Sequence, residues 1–267
     1  PWGDDGGNWL KHTNAILGKT YPMWQEGTYN YPPLFFFMVA TIYRILGDSL
    51  LSIKIAFLVA YALRPITTYP LGKKLFGSRL SGLACAWLTS IPPLFVEMVG
   101  WGGYPNLLGM AILPVFINFT LEYMDHTSLK NLTLTLASAV AVIVTHYLTS
   151  LIMFGILVLW AVVLLFFRQK RDFRVLLPIV VASIMFFLYS LFLDWPTLSI
   201  FQNEAAFYSL RFQPEMFLWI FKSRNLLILL YVIIVLSIVT LHERRDLRVV
   251  SLLTSWLLVP IIGSQGY

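Results

Sequence analysis

From Asn131 to Phe167 the chain reads NLTLTLASAVAVIVTHYLTSLIMFGILVLWAVVLLFF, without one Asp, Glu, Lys or Arg. A helix that crosses about 30 Å of hydrocarbon needs about 20 mostly apolar residues. This stretch holds two such runs, 131–148 and 150–167, joined by an immediate turn after Thr145-His146-Tyr147. Apolar residues all round a helix mean burial in a core or in lipid. The expectation is a pair of membrane spans.

Working outward, the same test predicts spans at 50–70, 80–97, 106–124, 175–193, 226–241 and 249–262. The predicted fold is therefore all-α, a polytopic transmembrane helix bundle of about eight spans. Composition agrees. Of the 267 residues 58% are hydrophobic and 12% charged, with a mean hydropathy of +0.75, whereas soluble domains carry about 25% charged residues. The apolar run 33–47 follows Pro32, contains Arg44 and is too short to span, so it reads as an interfacial helix. The domain reading is 1–49 as an external loop with juxtamembrane helices and 50–267 as a transmembrane domain with an external loop at 194–225. Residue 1 is Pro1 and the last residues follow directly on an apolar segment. The chain is thus expected to be a fragment, lacking at least one span upstream and further sequence downstream. The single cysteine, Cys85, excludes an internal disulfide framework and any CxxC site.

Loop charges set the orientation. Alternate loops collect Lys73, Lys74, Arg79, Lys130, Arg168, Lys170, Arg171, Arg174, Arg244, Arg245 and Arg248. The longer opposite stretches hold only Lys11, Lys19, Arg44, Arg211, Lys222 and Arg224. The positive-inside rule places the first set in the cytoplasm. The formal charge of +6 is then a topology signal, and no nucleic-acid partner is expected. Within the first span, Lys54 and Arg64 are expected to snorkel to opposite interfaces.

The acidic residues fall mainly on the external side: Asp4, Asp5, Glu26, Asp48, Glu97, Asp194, Glu204 and Glu215. Four clusters there are candidates for chemistry. Trp2-Gly3-Asp4-Asp5-Gly6-Gly7-Asn8-Trp9-Leu10-Lys11-His12 sets two adjacent carboxylates among glycines, suited to a general base or a divalent cation. It equally suits a solvated turn before a helix at 9–17. Glu97, with Trp101 and Tyr104 beyond it, ends an apolar helix at a level where a carboxylate needs water, a cation or a partner. The aromatic pair suits a sugar or an interfacial belt. His146 sits at the outer end of 131–148, either as a ligand or as a hydrogen-bonding group at the interface. The 194–225 loop brings Arg211, which can bind phosphate or pair with Glu204 of the same loop. The sequons at Asn118 and Asn131 lie in or beside spans and are not expected to accept a glycan.

In order and sidedness these elements resemble the GT-C superfamily of membrane glycosyltransferases. The resemblance rests on Gly3-Asp4-Asp5, Ile16-Leu17-Gly18-Lys19-Thr20-Tyr21-Pro22, Tyr31-Pro32-Pro33-Leu34, Leu71-Gly72-Lys73-Lys74-Leu75-Phe76-Gly77 and Ile91-Pro92-Pro93 followed by Glu97. It covers about residues 1–150, and the 194–225 loop is similar in position to a substrate-gating loop. The resemblance implies an extracytoplasmic enzyme of the cell membrane that inverts the anomeric carbon of a polyprenyl-phosphate sugar. Its acceptor would be a protein, a lipid or a glycan. It implies Asp4, Asp5 and Glu97 as catalytic residues. His12, Trp101, Tyr104, His146, Glu204 and Arg211 would bind substrate, and Asp5 with Glu97 would hold a divalent cation (Mg or Mn). The competing readings are a transporter or flippase, which calls for mid-span charges and broken helices, and an inactive structural homologue.

Overall fold

The computed structural model describes residues 6–18, 32–90, 103–166 and 176–192. All the regular structure among them is helical: α1 (Gly6–Ile16), α2 (Leu34–Leu46), α3 (Ser49–Phe76), α4 (Arg79–Ser90), α5 (Tyr104–Asp125), α6 (Leu129–Ile143), α7 (Tyr147–Phe166) and α8 (Leu176–Phe192). The expected spans 226–241 and 249–262 and the loop 194–225 lie outside the described residues.

Local chemistry explains the boundaries. The Asp48 carboxylate accepts the Leu51 amide at 3.0 Å and caps α3. The Ser128 hydroxyl does the same for α6 through the Asn131 amide at 3.1 Å. Gly47 and Gly77, at φ 73° and 74°, take the left-handed conformation that stops α2 and α3. Asn131, half of a sequon, donates its side-chain amide to the His126 carbonyl at 2.8 Å and closes the α5–α6 turn.

Two expected spans change extent. The 50–70 run becomes a 28-residue helix that continues through Pro65 and Pro70 to the basic patch. The runs 131–148 and 150–167 become α6 and α7, which part at Val144-Thr145-His146, so His146 sits between helices and not at the end of one.

Two described helices, α3 and α5, are long and apolar enough to cross a membrane. The stretches Leu34–Leu46, Leu129–Ile143, Thr149–Val162 and Leu177–Tyr189 are apolar but shorter. In α5 67% of the most apolar window is buried, against 28% in α3, so α5 is the central helix and α3 faces outward. On that outer side Leu50, Leu51, Leu58, Val59 and Ile66 are exposed, an apolar surface that suits lipid better than water.

The described residues divide between two compact units. The first contains 6–18, 32–90, 103–153 and 176–192; the second contains 154–166, the carboxyl-terminal part of α7. Helices α1 and α2 pack with α3 and α5 around Trp9, Phe35, Phe36, Val39, Ile53, Ala56, Tyr104 and Leu107. In the first unit α3 also packs on α4, α5 on α6, and α6 on α8.

Helices α3 and α5 run parallel. At their carboxyl ends Lys74 Nζ meets Glu122 Oε1 at 2.7 Å and Asp125 Oδ2 at 3.1 Å. At the opposite ends the Tyr104 ring lies 5.3 Å from that of Phe57. Arg64 overturns one expectation. It does not snorkel: it is 2% exposed in mid-helix and donates Nη2 to the Thr89 carbonyl of α4 at 2.6 Å.

Candidate functional site

Asp4, Asp5, Glu97, Trp101, Glu204 and Arg211 lie outside the described residues. The other three candidates, His12, Tyr104 and His146, belong to the first unit and to the end opposite the Lys74 ion pairs.

Each is placed by its helix. His12 lies on α1 with its ring over Phe36, centroids 5.0 Å apart and planes at 29°. Trp9 packs one turn earlier, 5.7 Å from the same Phe36. Tyr104 opens α5 and is 3% exposed, its ring held by Phe35 at 6.3 Å and Phe57 at 5.3 Å. These two neighbours make it part of the packing of α2, α3 and α5.

His146 has the most developed surroundings. It is 5% exposed and precedes α7, where a helix leaves its first amides without partners. The Thr149 amide donates to His146 Nδ1 at 3.2 Å, so the imidazole acts as an N-cap. The Thr149 hydroxyl lies 3.0 Å from Nδ1 and donates to Asn106 Oδ1 at 2.9 Å. Ser150 completes the turn by donating its hydroxyl to the His146 carbonyl at 2.8 Å. Asn106, Thr149 and Ser150 are all buried. A nitrogen that accepts an amide carries no proton, so the neutral ring holds its proton on Nε2.

The backbone around this corner is arranged alike. The Leu34 amide, first in α2, donates to the Val144 carbonyl in the α6–α7 turn at 2.9 Å. Asn106, in the first turn of α5, reaches Thr149 in the first turn of α7. The amino ends of α5 and α7 thus meet beside one buried histidine, and that of α2 bonds to the turn two residues before it. Each such end carries about half a positive charge from its aligned peptide dipoles, and together they suit an anion without any lysine or arginine.

Asn106 and Thr149 are not among the residues nominated above. Thr149 follows His146 by three positions, the spacing of an N-cap to the amide it accepts. Asn106 precedes Gly109 by one turn, and that glycine is what lets Thr149 approach: an added Cβ would sit 2.8 Å from Thr149 Oγ1. Among the described residues no three His, Cys, Asp or Glu side chains gather closely enough to hold a metal ion. The divalent-cation expectation rests on Asp5 and Glu97, outside them.

The described residues are all-helical in their regular structure, with a buried polar junction and two helices long and apolar enough to cross a membrane. The chain belongs to DUF6541, a family of unknown function whose model matches residues 10–266. No curated protein and no solved structure matches it.

Proposed function

We propose that this chain is a polytopic membrane glycosyltransferase of about eight spans. It would transfer a sugar from a polyprenyl-phosphate donor to an acceptor on the external face and invert the anomeric carbon. Asp4 or Asp5 takes the proton from the acceptor hydroxyl or amide as that atom bonds to the anomeric carbon. On the opposite side the bond from that carbon to the phosphate oxygen breaks, and its electron pair leaves with the lipid phosphate. The charge that grows there needs a preorganised partner. The reading gives this task to the amino ends of α5 and α7, to the Nε2 proton of His146, and to Arg211 or Lys222. Should a divalent cation take part, Asp5 and Glu97 would hold it and it would supply further positive charge.

The observation that supports this reading best is the meeting of the amino ends of α5 and α7 beside His146, at the end opposite Lys74 with its carboxylate partners. An electropositive, largely uncharged corner suits a phosphate that must be both held and released. The test is a radiolabelled polyprenyl-phosphate-sugar transfer assay in membranes containing the chain. Wild type is expected to label an acceptor and the Asp4→Asn/Asp5→Asn variant to lose that labelling while accumulating normally. Full transfer by the double variant rules the mechanism out.

One observation favours a second reading, a carrier or flippase of lipid-linked substrates: Arg64 is buried in the middle of a helix long enough to span, a position that costs free energy and commonly marks a pathway. Movement of a fluorescent lipid-phosphate sugar between leaflets, with no transfer to acceptor, would decide for it.

A further inference from the structure

The two sides of α3 differ along its length. Ile53, Ala56, Ala60 and Arg64 are buried against neighbouring helices. On the other side, at steps of three and four residues, come Lys54, Leu58, Ala62, Ile66, Pro70 and Lys73, and each of them is exposed. The two lysines are nineteen residues apart, about 28 Å along the axis at about 1.5 Å per residue. The hydrocarbon core of a bilayer is about 30 Å thick. In the membrane reading proposed above, on which this step rests, the lysines bracket the apolar layer. Lys54 thus has Lys73, and not Arg64, as its counterpart at the opposite interface.

The polar groups of the band between them suit lipid too. Its one charged residue, Arg64, is buried and donates Nη2 to the Thr89 carbonyl of α4 at 2.6 Å. The Tyr61 hydroxyl donates to the Ser90 carbonyl at 2.8 Å. Thr67 and Thr68 donate within their own helix, to the Leu63 carbonyl at 3.0 Å and the Arg64 carbonyl at 2.7 Å. Polar groups paired inside the protein leave the apolar exterior that hydrocarbon requires. The edges are different. Lys74 spends its charge on Glu122 and Asp125, whereas its neighbour Lys73 lies on the exposed stripe. Arg79, which opens α4 at the same end, is exposed as well. A lysine stem lies along apolar surface while its ammonium reaches the polar level, and the anion at that level is the lipid phosphate.

We infer that this stripe of α3 is a phospholipid-binding face, and that Lys54 and Lys73 each hold a lipid phosphate, one in either leaflet. The acyl chains lie along Leu58 and Ala62 from one side and along Pro70 and Ile66 from the other. The ligand class is a phosphodiester lipid, and one of net negative charge is preferred because no headgroup cation competes with the lysine. Charge complementarity at both edges, at a spacing that matches the apolar layer, favours this occupant over a second copy of the chain. Two copies oriented alike in one membrane would set lysine against lysine.

The test uses the full chain in phosphatidylcholine vesicles, with Cys85→Ala and one bimane-labelled cysteine, either Leu58→Cys near Lys54 or Ile66→Cys on the side of Lys73. Lipids with brominated acyl chains quench bimane on contact. Both labels are expected to be quenched. Brominated phosphatidylglycerol should act at about one-fifth of the mole fraction that brominated phosphatidylcholine needs, the preference given by one basic residue at the lipid surface. Lys54→Gln removes that preference at the Leu58→Cys label alone, and Lys73→Gln removes it at the Ile66→Cys label alone. Raising sodium chloride to about 1 M weakens it with both lysines in place, so the outcome does not depend on the glutamine variants folding. Equal quenching by the two lipids, or a preference that neither salt nor the glutamine variants change, overturns the inference. So does an unquenched label whose cysteine forms a disulfide between chains, which puts a second copy on the face. A label quenched by aqueous iodide and not by lipid overturns it together with the span. No readout involves sugar transfer, so this inference and the proposed chemistry fail separately.

Discussion

The Thr149 amide, three residues after His146, donates to His146 Nδ1 at 3.2 Å, while the Thr149 hydroxyl spends its one proton on Asn106 Oδ1 at 2.9 Å. The imidazole therefore does the work that a serine or aspartate side chain does at an ordinary helix start. Removing it strands a buried amide. His146→Ala should destabilise the chain by about 1–3 kcal/mol, read as a lower melting point in detergent. Asparagine keeps an acceptor at cap distance, so His146→Asn should recover about half of the loss. Equal melting of the two variants would mean that capping is not what His146 contributes.

Gly109 carries the same corner from the other side. A methyl there would meet Thr149 Oγ1 at 2.8 Å, Cβ at 3.1 Å and Cγ2 at 3.2 Å. Thr149 cannot retreat without giving up Asn106 or His146, because its hydroxyl donates to the first and its amide to the second. Alanine normally gains about 1 kcal/mol over glycine inside a helix, so a net loss isolates the steric effect. Gly109→Ala is expected to cost about 1–3 kcal/mol. It should also slow sugar transfer more than an alanine substitution on the outward face, such as Leu58→Ala. A melting point at or above wild type refutes the tight fit.

The helices were legible because periodicity and length are local. The apolar runs predict α2, α5 and α8 to within about two residues, and Gly47 and Asp48 mark the α2–α3 boundary in the sequence itself. Two things were not legible. Pro65 and Pro70 suggest an end near residue 70, yet α3 continues to Phe76, because packing against α4 and α5 offsets the lost backbone bonds. Arg64 was read as a snorkelling residue because the partner that buries it, the Thr89 carbonyl, lies 25 positions away and carries no side-chain signature. The corner around His146 was half legible. The histidine stood out, but Asn106 and Thr149 look like ordinary polar residues until tertiary packing sets them 2.9 Å apart.

Orientation makes a prediction that does not depend on chemistry. The Lys74, Glu122 and Asp125 ion pairs gather the end assigned to the cytoplasm, while α2 with its exposed Arg44 belongs to the other end. In a Cys85→Ala background, Arg44→Cys should react with a membrane-impermeant maleimide on intact cells. Thr127→Cys, in the α5–α6 turn, should react only after permeabilisation. The reverse pattern would invert the assignment from loop charge and place the His146 corner in the cytoplasm, where an external acceptor is out of reach.

The α3–α4 contact offers the sharpest separation of side-chain from backbone crowding. A Cβ at Gly72 would lie 2.7 Å from Cys85 Cβ and 2.8 Å from its Sγ, whereas a Cβ at Gly82 would lie 2.9 Å from the Tyr69 carbonyl oxygen. The first clash is with a side chain that can be deleted; the second is with backbone that cannot. Gly72→Ala and Cys85→Gly should each destabilise, by about 1–3 kcal/mol for crowding and about 1 kcal/mol for glycine in a helix. Combined, they replace the Cys85 side chain on α4 by a methyl group on α3, and the double variant should lie about 1 kcal/mol or more above the sum of the singles. Gly82→Ala should cost as much as Gly72→Ala and gain nothing from Cys85→Gly. Additivity in the first pair would mean that the two helices relax apart, and the hydrogen bonds of Arg64 and Tyr61 to α4 carbonyls would then be too weak to fix their spacing.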